Sequence, residues 1–172
     1  KASYSLLSYQ IIDSCQLALK NGPVYWGMTS YGPWVTSQPY YDLLGQDVKP
    51  HVKKITKIYG KMYSSTKSYL DSYIWIPSLA EVATGYTSIP GALGYKVITD
   101  GTVYDFYSSN QDSVRVKTVD PEIDYKGAAT WFLRTVNSNG DTRQGVRVGS
   151  AGNPYIVDNT NLEWGLVIGF CI

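Results

Sequence analysis

The pattern of hydrophobic and polar positions changes character part-way along the chain. In residues 6–20, Leu7, Ile11, Cys15, Ala18 and Leu19 recur at helical spacing, which predicts a helix with one apolar face. Asn21-Gly22-Pro23 supplies the stop chemistry that ends it. Residues 24–37 are rich in Gly, Tyr and Trp and read as short strand or loop. A shorter helix is predicted within 38–54, limited by Pro39 and Pro50. Residues 52–59 fit either a continuing helix or an exposed strand. The apolar, β-prone run Tyr73-Ile74-Trp75-Ile76-Pro77 leads directly into Ser78-Leu79-Ala80-Glu81-Val82. Ser78 and Glu81 stand at capping-box spacing, so a helix should start just after that strand, with Gly85 closing it. From residue 86 onward, Gly and Asn punctuate brief β-prone runs at 95–98, 102–107, 113–119, 130–136, 144–148, 154–157 and 165–172. Asn139-Gly140 is a hairpin turn signal. Helices followed by strands and long loops predict an α+β fold rather than an alternating parallel one.

Composition adds a size and a surface vocabulary. The 172 residues suit one domain, 1–172, with enough volume for a core. There are 16 Tyr and 5 Trp against 3 Phe, a bias toward rings that keep one end wet. With abundant Ser, Gly and Asn, the mixture resembles that of binding loops, where rigid rings supply contact area. Half-buried cross-strand Tyr pairs in a β-rich fold would account for part of it. The formal net charge of +1 offers no electrostatic case for a nucleic acid or anionic membrane partner. No apolar run is long enough for a membrane span, and no signal peptide is visible. The first residue is Lys1, so the domain is read as the C-terminal part of a longer protein.

Motifs for catalysis are missing. His51 is the single histidine, in a Lys-rich stretch, and no Gly-x-Ser-x-Gly elbow accompanies it. Cys15 and Cys171 are too few for a zinc site and form no Cys-x-x-Cys pair. Neither a P-loop, nor a dinucleotide glycine fingerprint, nor a metalloprotease motif occurs. The acids of Asp158-Asn159-Thr160-Asn161-Leu162-Glu163 lack EF-hand spacing and read as a solvated loop. Lys49, Lys53, Lys54, Lys57, Lys61 and Lys67, interleaved with Tyr59 and Tyr63, read as a solvated face rather than a nucleic-acid surface. No cofactor is expected, and the chain is read as a non-enzyme.

Three segments carry a family signal. They are Ile74-Trp75-Ile76-Pro77-Ser78-Leu79-Ala80-Glu81-Val82, then Trp131-Phe132-Leu133-Arg134, then Trp164-Gly165-Leu166-Val167-Ile168-Gly169-Phe170-Cys171-Ile172. In this order they resemble an uncharacterised family of bacterial and phage domains in the formylglycine-generating-enzyme-like branch of the C-type lectin fold. The resemblance spans most of the chain. It implies a C-type-lectin-like single domain, with two or three helices, short antiparallel strands and long loops. The catalytic cysteine pair of that branch is absent, because Cys15 and Cys171 are separated by almost the whole chain. The calcium motifs of sugar-binding relatives are also not found. The same fold serves as the variable protein of diversity-generating retroelements, and the 131–172 segment is similar in layout.

The resemblance implies a ligand- or receptor-binding domain displayed on a phage tail or bacterial surface, with a host-surface protein or glycan as partner. The candidate contact residues are Arg134, Asn137, Asn139, Asp141, Arg143, Asn153, Tyr155, Asn159, Asn161 and Trp164, with Tyr155 and Trp164 as aromatic anchors. The alternative is a structural or assembly module of a virion or surface protein without a free ligand; an oligomer is compatible with either. In C-type lectins a disulfide commonly ties the first helix to the last strand. The resemblance therefore places Cys15 and Cys171 near each other, either bonded or as two buried free thiols.

Overall fold

A computed structural model describes residues 4–16, 38–60, 67–84, 100–125, 127–136, 145–157 and 163–172. Among these, the chain forms ten strands and two short helices, an α+β arrangement. The strands are β1 (Ser5–Leu7), β2 (Asp13–Gln16), β3 (Ile55–Gly60), β4 (Lys67–Ser72), β5 (Ile74–Trp75), β6 (Trp131–Val136), β7 (Gly145–Val148), β8 (Pro154–Val157), β9 (Glu163–Leu166) and β10 (Gly169–Cys171). The helices are α1 (Gln38–Leu43) and α2 (Leu79–Val82). A three-stranded sheet has the order β1-β10-β5, a five-stranded sheet the order β2-β9-β6-β7-β8, and β3 pairs with β4.

The first described segment corrects the sequence reading. Ser5–Leu7 and Asp13–Gln16 are the strands β1 and β2, so 6–16 is not helical, while 17–20 and the Asn21-Gly22-Pro23 stop lie outside the described residues. The spacing of Leu7 and Ile11 fits a helix, but the segment finds a long partner in residues 163–172. β1 lies antiparallel to β10 with Ser5 opposite Cys171, and β2 lies antiparallel to β9 with Cys15 opposite Trp164. Tertiary pairing overrides a short-range period. Between β1 and β2 the ribbon bulges. Ser8 N–H still bonds the Ile168 carbonyl at 2.8 Å, while Ile11 turns away to bridge Val119. A bulge of this kind re-aims side chains and bends the ribbon, and here it carries the chain from the small sheet to the large one.

Of the two alternatives for Cys15 and Cys171, bonded or free, the structure has Cys171 free. Cys171 is a buried free thiol on β10, and Cys15 is on β2, in the other sheet. The residue expected on the first helix lies on a strand instead.

Alternation along β6 divides the core in two. Trp131 and Leu133 pack with Ile11, Leu79, Val82, Val146, Val148 and Val167. Phe132 packs with Tyr40, Ile74, Trp75, Ile76, Leu166, Ile168 and Cys171. The Trp131 indole is fully buried, and its Nε1 donates to the Arg115 carbonyl at 3.1 Å.

The capping box at Ser78 is present. Ser78 Oγ accepts from Glu81 N–H at 3.2 Å, and Glu81 Oε2 accepts from Ser78 N–H at 2.9 Å. The helix that follows ends at Ala83, before Gly85. Residues 38–54 hold α1 and a 3-10 turn at Lys49–His51, and 52–59 resolve into strand β3. The runs at 102–107 and 113–119 are 3-10 turns, Asp105–Tyr107 and Asp112–Arg115, with only Val119 in a β-bridge. The runs at 130–136, 144–148, 154–157 and 165–172 contain β6 to β10. β6 and β7 form an antiparallel pair; the Asn139-Gly140 turn, the 24–37 segment and the 95–98 run lie outside the described residues.

Candidate binding site

Two arrangements of polar side chains among the described residues bear on binding. The first is buried. Capping pulls the Glu81 carboxylate inward at the start of α2, where it is 3 % exposed. Arg134, projecting from β6 and 1 % exposed, donates to Glu81 Oε2 at 2.6 Å. The same guanidinium donates to the carbonyls of Ile58 (2.9 Å), Ile76 (2.7 Å) and Asp100 (2.6 Å). Lys57, on β3, donates to Glu81 Oε1 at 2.7 Å and to the Tyr104 hydroxyl at 2.7 Å, with its ammonium 4.2 Å from the Trp75 ring centroid. Thr135 Oγ1 donates to Asp100 Oδ2 at 2.8 Å and accepts from Leu79 N–H at 2.7 Å.

The electrostatics follow from this geometry. Burial pushes the Glu81 carboxyl up, but Arg134 and Lys57 together outweigh burial and hold it below the usual carboxylate value. Burial wins at Lys57, lowering its pKa despite the Glu81 charge. It also wins at Asp100, whose pKa is raised despite Arg134, and whose Oδ1 has no hydrogen-bond partner among the described residues. At Arg134 the Glu81 and Asp100 charges prevail over burial and keep the guanidinium charged. The cluster ties α2, β3, β6 and the Asp100 segment together. A side chain 1 % exposed and donating to three carbonyls cannot meet a ligand, so Arg134 is a structural tie rather than a contact residue. Lys57 likewise departs from the solvated face expected of the Lys-rich stretch, whereas Lys53, Lys54 and Lys67 are exposed.

The second arrangement is half-buried on the five-stranded sheet. In β7, Val146 and Val148 enter the core, so Arg147 points to the opposite face. Register places Arg147 opposite Phe132 on β6 and Tyr155 on β8. Its guanidinium carbon lies 3.6 Å from the Trp164 ring centroid and 4.2 Å from that of Tyr155. Trp164 in turn meets Phe132 edge-on, with centroids 6.4 Å apart. Cation–π contacts of this kind contribute about 0.5–2 kcal/mol each. Arg147 Nε and Trp164 Nε1 are both buried and have no hydrogen-bond partner among the described residues. Burial lowers the Arg147 pKa, and nearby Tyr155 opposes the shift.

The structure thus brings two of the expected contact residues, Tyr155 and Trp164, around one that sequence reasoning did not select. Arg147 was legible as the polar position in Gly145-Val146-Arg147-Val148, where alternation turns it away from the core. Asn153 is exposed in the turn before β8, where its carbonyl accepts from Gly149 N–H at 2.9 Å. Asn137, Asn139, Asp141, Arg143, Asn159 and Asn161 lie outside the described residues. His51 is exposed on its 3-10 turn. Among the described residues, no cluster of His, Cys, Asp and Glu has the makings of a metal site, and no helix is long and apolar enough to cross a membrane.

Compared with known protein families, with curated proteins and with solved structures, the chain matches none.

Proposed function

We propose that this chain is a ligand-binding domain on a C-type-lectin-like scaffold, displayed on a phage tail or bacterial surface. The observation that carries the reading is the Tyr155–Arg147–Trp164 stack, whose three side chains are each half-buried. The exposed parts of Arg147, Tyr155 and Trp164 offer a partner stacking area and polar groups, which suits a glycan or a polar protein loop on a host surface. Large rings flanking one guanidinium also have the character of interface hot spots. The scaffold assignment is supported by where the three motif segments fall: on β5–α2, on β6 and on β9–β10. Their Trp75, Glu81 and Arg134 belong to the same buried cluster.

The test is binding of the purified domain to host cells or to glycan and protein arrays, comparing the parent with Arg147→Met, Tyr155→Ala and Asn153→Ala. Arg147→Met keeps the packed stem and should lower affinity about tenfold or more, the equivalent of about 1.4 kcal/mol. Unchanged binding by folded Arg147→Met and Tyr155→Ala proteins would remove this face from consideration. The second reading, an assembly module without a free ligand, is favoured by one observation: Tyr4, Tyr9 and Phe106 are 66 %, 83 % and 68 % exposed. Light scattering distinguishes the two, since assembly through those rings gives a concentration-dependent oligomer.

A further inference from the structure

We propose that the groove beside the bulge between β1 and β2 is a second binding site, for a small ligand with an apolar body and a carboxylate that pairs with Lys117. The groove encloses about 280 Å³ and is lined by Leu6, Tyr9, Tyr104, Phe106, Tyr107 and Lys117, among others. That volume lies near the lower end of small-molecule sites, about 300–1,000 Å³.

The bulge builds the groove. In a regular ladder the Ser8 carbonyl would accept from the strand opposite. Here Ile168 N–H bonds the Ser8 hydroxyl at 3.2 Å, and the Ser8 carbonyl accepts from Lys117 Nζ at 2.8 Å. The next residue, Tyr9, is turned out and 83 % exposed. Phe106, on the Asp105–Tyr107 turn, is 68 % exposed, while Tyr107 beside it is buried. The walls are therefore apolar and uncovered, and the Tyr107 hydroxyl stays neutral, its pKa pushed up to about 12 chiefly by burial.

Lys117 supplies the polar specificity. It is 8 % exposed, and its ammonium has three donors with one acceptor among the described residues, the Ser8 carbonyl. Each of the other buried cations has a carboxylate: Lys57 and Arg134 share Glu81, and Arg115 has Asp112. Among the described residues no carboxylate pairs with Lys117. An isolated buried ammonium is unfavourable, and a ligand carboxylate entering this groove would provide its counter-ion while the rings take up the apolar body.

The test uses the whole chain, with 3-phenylpropionate as probe and 3-phenylpropionamide as its uncharged counterpart, titrated by calorimetry. The carboxylate should bind at least about tenfold more tightly than the amide. Lys117→Met should abolish that preference, and Phe106→Ala, at an exposed position, should weaken both probes several-fold. Equal binding of the two probes, no binding of the carboxylate at millimolar concentration, or wild-type affinity in Phe106→Ala would each overturn the proposal. Because Phe106 is exposed, the Phe106→Ala arm reads out even if Lys117→Met fails to fold.

Discussion

Replacing Arg134 by Met keeps an unbranched side chain of similar length and removes the guanidinium. Glu81 then loses the 2.6 Å donor, and the carbonyls of Ile58, Ile76 and Asp100 lose theirs. Breaking one partner out of a buried ion pair costs about 3–5 kcal/mol. Each carbonyl left without a donor adds up to about 1–3 kcal/mol, with relaxation and entering water offsetting part of it. The loss expected is therefore at least about 3–5 kcal/mol, against a total of about 5–15 kcal/mol for an ordinary domain. At about 2–4 °C per kcal/mol for a chain of this size, Tm should fall by roughly 6–20 °C. Urea unfolding followed by circular dichroism measures the same quantity isothermally. Lys57 remains beside Glu81 and limits the damage, so Glu81→Gln in the Arg134→Met background should cost less than it does alone. A Tm for Arg134→Met within about 2 °C of the parent would refute the reading of Arg134 as a structural tie. A selective loss of ligand binding in that folded protein would restore it as a contact residue.

Other expectations concern the turns and the pH profile. Gly152 has φ +89°, and a Cβ there would run into the Asp112 carbonyl, so Gly152→Ala should cost at least about 1–3 kcal/mol in urea unfolding. The effect should be amplified because the Gly152 carbonyl accepts from Arg115 Nε at 2.8 Å; a change below about 0.5 kcal/mol would show that the turn yields freely. Burial lowers the Lys117 pKa, so between that lowered value and the ordinary 10.5 the unfolded chain holds a proton the folded chain has shed. That contribution to stability is complete above the window and is lost as pH falls through it. The urea midpoint of the parent should therefore rise from neutral pH toward about 9.5 more than that of Lys117→Met. Equal slopes would argue against it. Lys57 acts in the same direction in both proteins, and the raised tyrosines Tyr104 and Tyr107 lose their contribution only above the ordinary value of 10.0.

Local chemistry was the part of this fold open to sequence reasoning. Ser78 and Glu81 announced a capped helix because both halves of the box lie within four residues. The strands after residue 130 were legible because alternation in Trp131–Val136 and Gly145–Val148 is a property of each run alone. The first segment was not, because its partner lies some 150 residues away and the apolar spacing of Leu7 and Ile11 serves a helix and a bulged strand equally. The same distinction separates the site residues. Tyr155 and Trp164 could be named from their chemistry, whereas the role of Arg134 depends on Glu81, Ile58 and Asp100, which only the tertiary fold assembles. Arg147 fell between the two: alternation indicated its face, but the rings on either side come from β8 and β9.

The position of β10 bears on the order in which the molecule is made. The last of the described strands to leave the ribosome lies between the first, β1, and β5, and its Cys171 carbonyl also accepts from Lys53 N–H at 2.7 Å. Until Gly169–Cys171 emerges, β1 and β5 have no strand between them, and β2 waits in the same way for β9. The segment carrying Leu6 and Leu7 must therefore stay unpaired through most of synthesis. Closing loops of this length makes folding slow and exposes apolar strands while it lasts. A nascent chain stalled just short of β9 should be a chaperone client, and emergence of residues 163–172 should be the event that closes both sheets together.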